Sequence, residues 1–574
     1  MSSSLPPPVS TTPTIPHSSA ADTPETQNKE AEVQVEPPPV FRHSWRIWCI
    51  FLVLCLLSFI SAVDATIITT SLPTIAREIG GGEQYIWIAN SFLFATTAPQ
   101  PFFGQIATIF GRRIPILVAI SLFALGSGIS GGANSTGMLI AGRTIQGLGC
   151  GGLYVLSDII ICDLVPSRHR GPYLSAVLSS AAIGTTIGPV IGGALAQTQW
   201  RWIFWLNLPI SGVAFFAILL FLKVRYKRSP TWGRALMRVD FLGNAIFIPS
   251  MIAIFFGLIM GGTNYPWNSW RIIVPLVLGV LGWVAFHIHQ ASPVCKEPSV
   301  PARLFHHRTS VTGFIIIFLC SIILQAISYF LPVYFQAVKG TSPLTSGVYF
   351  LPFALAIIPF GGLTGVFISK TGLYVPLHWL GFIMNAVGAG LFSILNASSS
   401  SAAWIGFQII ASGGVGIIFT TTLPSTLAAL AESDVAVATG TYSFVRSFGL
   451  VWGVTVASIV FNGQMNANLP SIGNAEIRAL LKDGAAYAYA SGGFIPSLPL
   501  GTRNEVIDVY TKALQVVWQV IAGVSCLGFC FVFLEKHVEL RKDLHTEFGL
   551  EEEKKVGAPN MLEQGLDQTT GEKK

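Results

Sequence analysis

Apolar residues in this chain do not alternate with polar ones. They come in long runs, separated by short breaks that are basic or rich in Gly and Pro. An α-helix needs roughly 20 such residues to cross ~30 Å of hydrocarbon. Runs of that length fall at 47–69, 85–106, 114–132, 137–160, 174–196, 206–224, 241–262 and 271–290, and again at 312–334, 346–368, 375–395, 403–427, 441–461 and 513–533. Gly, Pro and aromatics occur within them and no period of two is present, so they read as helices and not as barrel strands. The pattern predicts an all-α membrane protein with 14 transmembrane helices.

The breaks group these helices as six, two and six. Residues 1–46 form an N-terminal tail rich in Ser, Thr, Pro and Glu, expected to be disordered. A first six-helix bundle covers 47–224, a linker with two extra helices 225–311, and a second six-helix bundle 312–534. The second bundle includes a long outer loop, 462–510, with a short amphipathic helix expected around Ala475–Leu481. Residues 535–574 read as a C-terminal tail. The first apolar run begins near Ile47, too far along for a cleavable signal peptide.

Basic residues set the orientation. With the N-terminus in the cytoplasm, inner loops receive Arg42, Arg46, Arg112, Arg113, Arg168, Arg170, Lys223, Arg225, Lys227, Arg228, Arg234, Arg238, Arg303 and Arg308. Outer loops keep only scattered charges such as Arg77, Arg201, Arg271 and Lys339, and both termini are cytoplasmic. The sequons at Asn134 and Asn396 then face outward as glycosylation sites. Composition agrees with a membrane protein: 51% of residues are hydrophobic and 11% charged, against about a quarter charged in soluble domains. The net charge of +6 reflects topology and does not point to nucleic acid. None of the eight cysteines lies in an outer loop, so no disulfide is expected. Neither a GxxxxGK[ST] loop nor a zinc or GxSxG pattern occurs, which argues against ATP as energy source, a metal site and an enzyme.

A charge inside hydrocarbon is costly, so each one is a candidate for function. Asp64, in FISAVDATIITTSLP of the first span, has no basic residue in its own helix turn. A carboxylate there can take up and release a proton as its access to water alternates; the alternative is a structural carboxylate pinned by Ser61 or Thr66. Arg143 shares a helix face with Gly147 and Gly151 in AGRTIQGLGCGG and must find a carboxylate or carbonyl oxygens. Asp158 lies near the inner end of the same span, where it relays protons or is simply solvated.

Two further segments point to gating. In GQIATIFGRR, Gly104 and Gly111 permit a tight inner turn, and Arg112 and Arg113 form a charged clasp with Asp163 as the expected partner of Arg112. In GTTIGPVIGG, Gly184, Gly188 and Gly192 recur every fourth residue, with Gly193 adjoining. They make a smooth stripe for close helix packing, and Pro189 within it is expected to bend the helix. Aromatics and amides suited to a cavity for large, moderately apolar molecules include Asn90, Gln100, Tyr329, Tyr334 and Gln336.

These segments, with WRWIFWLNLP and YFLPVYFQAVKGTSPLTSGVYFLP, resemble in order and spacing the major facilitator superfamily (MFS), in the fungal fourteen-helix drug:proton antiporter branch. The first-span motif is matched by Asp64, Thr66, Leu72 and Pro73. The resemblance implies the MFS fold: two six-helix bundles plus two linker helices. It also implies a monomeric proton-coupled antiporter that exports drugs, toxins or secondary metabolites by alternating access, driven by the proton gradient without a cofactor. Its partners are a small-molecule substrate, protons and the lipid bilayer; its place is the plasma membrane, with the vacuolar membrane as the alternative. Other readings are the same fold used for uptake, of a siderophore or of a basic amino acid into a vacuole, and a non-transporting sensor. One position departs from the family: Thr108 stands where the inner loop usually has Asp. Arg446 is then left to pair with Glu432 or Asp434.

Overall fold

The computed structural model describes residues 45–79, 85–223, 231–262, 265–482, 484–490 and 494–541. The calls on the N-terminal tail and on most of the C-terminal one lie outside the described residues. Among the described residues the structure is helical throughout; the β geometry is one isolated bridge, Gly261 to Tyr265. Twelve helices among the described residues are long and apolar enough to cross a membrane, so this is a multi-pass membrane protein.

The first half contains α1 (Trp45–Ile79), α2 (Tyr85–Thr97), α3 (Gln100–Phe110), α4 (Arg113–Gly131), α5 (Thr136–Leu164), α6 (Arg170–Thr198) and α7 (Asn207–Phe221). A hairpin of α8 (Phe241–Met260) and α9 (Trp270–Ala291) follows. The second half contains α10 (Arg308–Val333), α11 (Pro343–Thr371), α12 (Val375–Phe392), α13 (Ser401–Ala428), α14 (Val435–Asn468) and α15 (Leu500–Val532).

Local chemistry explains the boundaries. Ser135, Asp240, Ser269, Ser342 and Ser400 each accept a backbone N–H as N-cap just ahead of an apolar run. The second apolar run divides into α2 and α3 because Pro99 and Pro101 remove two backbone donors at the junction. The two runs not among the twelve candidates, 85–106 and 174–196, lie on α2 with α3 and on α6. The long loop expected over 462–510 is shorter than that. Helix α14 continues to Asn468 and α15 starts at Leu500, since polar residues extend a helix beyond the apolar layer. The short helix at Ala475–Leu481 forms, capped by Asn474.

Packing sorts the helices into two sets. In the first, α1 lies along α6, α4 along α5, α2 on α5, and α7 on α4 and α1. In the second, α10 packs on α14, α13 on both α11 and α12, and α15 on α12. The sets meet through α6 with α11 and α3 with α14. The α8–α9 hairpin seats Phe247, Met251 and Phe255 against Phe94 of α2 and Phe444 of α14. Its other face stays open: Ile273, Val277, Leu281 and Val284 are exposed, as suits a lipid-facing helix.

Small residues set how closely these helices approach. A β-carbon on Gly126 of α4 would lie 2.3 Å from the Gln146 backbone nitrogen of α5, and one on Gly149 would lie 2.4 Å from the Phe123 nitrogen. Neither neighbour is a side chain that can turn away. Gly126→Ala should therefore lower stability in detergent by about 1–3 kcal/mol, the usual overpacking cost. Gly212 of α7 has nothing within 4 Å of that position, and Gly212→Ala should leave the melting midpoint unchanged or slightly raised. Equal losses at both sites would mean that backbone approach does not hold α4 to α5.

Candidate functional site

Asp64 sits midway along α1 and is buried. Its Oδ2 accepts from Arg143 Nη1 of α5 at 2.6 Å, and its Oδ1 accepts from Gln146 Nε2 and Asn207 Nδ2, both at 2.8 Å. Arg143 and Gln146 are three residues apart on one helix, so they share a face, and the same guanidinium nitrogen donates to Gln146 Oε1 at 2.9 Å. Ser127 of α4 accepts from Gln146 at 2.7 Å and from Asn207 at 3.2 Å. The guanidinium carbon lies 4.0 Å from the centre of the Phe92 ring, adding a cation–π contact from α2. Five helices thus converge on one buried ion pair. Thr66, the alternative anchor for Asp64, turns its hydroxyl back to the Ala62 and Val63 carbonyls. Of the residues that matter here, Asn207 and Ser127 escape a reading of the sequence. An isolated Asn in the apolar run after WRWIFWL was a usable signal for Asn207. Ser127, a small residue among glycines, offered none.

A second set of contacts lies at the basic end of the molecule, part within the first half and part between the halves. Gly111 adopts φ 77° and ψ −172°, a conformation essentially confined to glycine. That turn brings Arg112 onto Asp163 of α5, with Nε to Oδ2 at 2.6 Å and Nη2 to Oδ1 at 3.4 Å, the pairing expected from the sequence. Arg113 does not join this clasp. It donates to the Leu219 carbonyl of α7 at 2.5 Å. Gly104 lets α3 meet α14: a β-carbon there would lie 2.8 Å from the Ala436 carbonyl oxygen and 3.2 Å from Gly440 Cα. Gly171 of α6 does the same against α11, with Gly365 Cα at 2.9 Å.

Asp158 is where the structure departs most from expectation. It is buried, not solvated, and faces Arg446 of α14 at 3.6 Å, with Ser443 Oγ at 3.5 Å. Arg446 is therefore met by neither Glu432 nor Asp434. Asp434 takes Arg303 at 2.7 Å and Glu432 takes Arg541 at 2.9 Å. Thr108 bonds back to the Gly104 carbonyl within α3.

The glycine stripe of α6 does not face the other half. Gly184 lies on the Phe59 carbonyl and Gly188 on Thr66 and Val63, all of α1, where a β-carbon at Gly188 would lie 2.1 Å from Thr66 Oγ1. Gly192 is buried on the same helix; Pro189 and Gly193 lie outside the residues whose surroundings are described.

The expected cavity residues scatter. Gln100 is buried and exchanges hydrogen bonds with Ser447 of α14 at 3.1 and 3.2 Å, so its amide serves the junction of the halves. Tyr334 is buried with its hydroxyl on the Asn396 carbonyl at 2.9 Å, and Gln336 donates to Ser346 at 3.3 Å. Asn90 is half-buried on α2 and Tyr329 exposed on α10. Asn134 and Asn396 are exposed in loops, α4–α5 and α12–α13.

One group among the described residues has donor types suited to a metal ion. Asp240, His289 and Cys295 place their ligand atoms within 4.8 Å of one another. Spacings of 49 and 6 residues hid it from a motif search. Its carboxylate is already engaged by Gly243 N–H at 2.8 Å, His289 Nε2 at 2.9 Å and Gln290. Burial and the facing Asp240 push the Cys295 thiol up to about 12, leaving it protonated at neutral pH. Asp240 is the N-cap of α8, and its bonds to His289 and Gln290 fasten α9 to that end.

Residues 54–454 match the family model described as Major Facilitator Superfamily. The chain is 49% identical over 507 residues to the "MFS efflux transporter aclA" of Aspergillus oryzae, covering 88% of this chain and 92% of that protein. It is 43% identical over 551 residues to the "Efflux pump FUS6" of Gibberella fujikuroi, covering 96% and 99%. Two solved structures share the fold at low identity. The human organic anion transporter MFSD10 is 16% identical with a TM-score of 0.54, covering 84% of this chain and 99% of that one. The proton:xylose symporter XylE is 14% identical with a TM-score of 0.55, covering 87% and 98%.

The buried pair makes a quantitative prediction. Arg143→Leu leaves the Asp64 carboxylate buried without its counter-charge and should cost about 3–5 kcal/mol. The double variant Asp64→Leu with Arg143→Leu removes both charges and should recover most of that loss. Thermal unfolding of the three proteins in detergent decides it, and additive losses would mean that the two residues do not act as a pair.

Proposed function

Because the chain belongs to the major facilitator superfamily, we propose that it is an efflux transporter that exports a hydrophobic or amphipathic small molecule, such as a secondary metabolite, toxin or drug, in exchange for protons. Relatives named as efflux pumps support export. The observation that carries the proton part is the buried Asp64–Arg143 pair with its amide donors. On this reading the chain crosses the plasma membrane fourteen times as a monomer, with the basic end and both termini in the cytoplasm.

The mechanism follows from what each contact holds. Ionised, Asp64 ties α1 to α5 and α7. Protonation removes the charge that Arg143 and the two amides point at, so the three helices lose their common anchor. Helix α1 cannot move alone, because the Gly184–Gly188 stripe seats α6 directly on its backbone. The other end of α6 carries Gly171 against Gly365 of the second half. A change at Asp64 is thereby transmitted to the junction that keeps the basic end shut. Arg112–Asp163 stiffens the inner turn within the first half, while Asp158–Arg446 spans the halves. The second pair supplies the cross-half charge contact that Thr108 cannot make. Alternating access consists of breaking these contacts on one side as substrate and proton exchange places.

The test is efflux from proteoliposomes under an imposed pH gradient, with the cognate substrate found by comparing exported molecules in overexpressing and deletion strains. Asp64→Asn keeps the size of the side chain and should abolish proton-driven efflux. Full proton drive in that variant would remove Asp64 from the coupling role.

A further inference from the structure

The segment after the last membrane helix, Glu535–Arg541, is the first part of the C-terminal tail. It runs without regular secondary structure across the basic end and is bonded along its length. Glu535 is buried against His378 of α12, with Oε2 to Nδ1 at 2.7 Å. The Lys536 carbonyl accepts from Thr309 Oγ1 at 2.8 Å and from the Tyr374 hydroxyl at 3.3 Å, and that hydroxyl accepts the Val538 N–H at 2.6 Å. Leu540 is buried with Ile368, Tyr374 and Ala428. All these partners belong to the second half.

The tip differs. Arg541 donates to Glu432 at 2.9 Å and to the Leu430 carbonyl at 3.0 Å, both ahead of α14. Its own carbonyl accepts the backbone N–H of Arg168 at 3.2 Å, from the turn that joins α5 to α6 in the first half. The Arg168 guanidinium reaches the Ser369 carbonyl at 2.8 Å beside the same spot. The segment is therefore an arm fixed to one half whose last residue reaches the other. If the halves part at the basic end, these contacts of Glu535, Lys536, Val538 and Leu540 can survive intact, but the Arg168–Arg541 bond cannot. The Glu432 pair holds the tip so that its carbonyl faces Arg168.

We propose that Glu535–Arg541 is a latch: an arm of the second half that holds the basic end closed through Arg541, and whose tip must let go before that end can open. This rests on the alternating-access reading above. The latch acts through position and carries no substrate or proton. Its side chains at the tip are partly exposed, 41% for Arg541 and 23% for Glu432, so they can be exchanged without disturbing a core.

The experiment uses the full-length chain, with its native cysteines replaced and spin labels at Lys223 and Thr371, one on each half at the basic end. Pulsed dipolar spectroscopy then reads the distance between the halves. Arg541→Glu sets like charges together at the tip and should raise the long-distance, open population several-fold. Adding Glu432→Arg restores the pair with its signs exchanged and should return the distribution toward that of the parent. Asp158→Asn is measured in parallel, because it weakens a different contact between the halves without touching the arm. If Asp158→Asn opens the basic end and Arg541→Glu does not, the latch is wrong and the transport reading stands. If neither opens it, the latch is overturned together with the gating role assigned to these contacts. Opening in Arg541→Glu that the exchanged pair fails to reverse also counts against the latch, since the tip's charge would then act elsewhere.

Discussion

The arrangement of the first half depends on how one pair of opposite charges is kept out of water. Asp64 and Arg143 are each about 1% exposed in a region otherwise built of Ile, Leu, Phe, Gly and Ala. Neither charge is tolerable alone there, and their attraction is strongly directional only when the remaining polar atoms are also met. Gln146, Asn207 and Ser127 meet most of them, and Phe92 covers the guanidinium face. Satisfying that requirement fixes α1, α2, α4, α5 and α7 relative to one another. Among the described residues, no comparable charge is buried in the middle of the second half, whose helices are held by apolar contacts and small residues.

Glycine provides the complementary constraint, because an ion pair in the midplane works only if backbones come close enough for short side chains to meet. Gly126 and Gly149 bring α4 and α5 into contact, Gly147 and Gly151 do so for α5 and α2, and Gly184 and Gly188 for α6 and α1. The same residue type is used at the junction of the halves, at Gly104 with Gly440 and Gly171 with Gly365. Inside a half these contacts seat one helix backbone directly on another. Between the halves they make a close contact with little side-chain interdigitation. The charged contacts Asp158–Arg446 and Arg168–Ser369 also cross that surface.

Much of this was legible in the chain. The apolar runs located the helices, with some ends displaced by ten residues or more where polar residues extend a helix, since crossing hydrocarbon demands length and apolarity. Asp64 and Arg143 stood out because each is a charge in such a run, and Arg112 with Asp163 because the Gly-bounded turn leaves few partners within reach. Other partners were not legible. Asp158 was open between a relay and a solvated site, and Arg446 was offered Glu432 or Asp434 in place of the Asp158 it meets, because a sequence gives a residue's depth along its helix and not the direction it faces. The Gly184–Gly188 stripe announced close packing correctly, but only the fold says that its partner is α1.

By itself, then, the sequence determined which segments must be helical, which residues are too polar for their surroundings and therefore need partners, and where backbones must approach closely. Those are consequences of local composition and the cost of exposing polar groups to hydrocarbon. Tertiary structure alone decided which partner each residue received. Asp64 and Arg143 are 79 residues apart, Asp158 and Ser443 285. The arm at 535–541 looks like any basic tail until the fold brings His378, Tyr374 and Arg168 to it. Pairing over such separations depends on the order and rotation of helices, which short-range propensity does not encode.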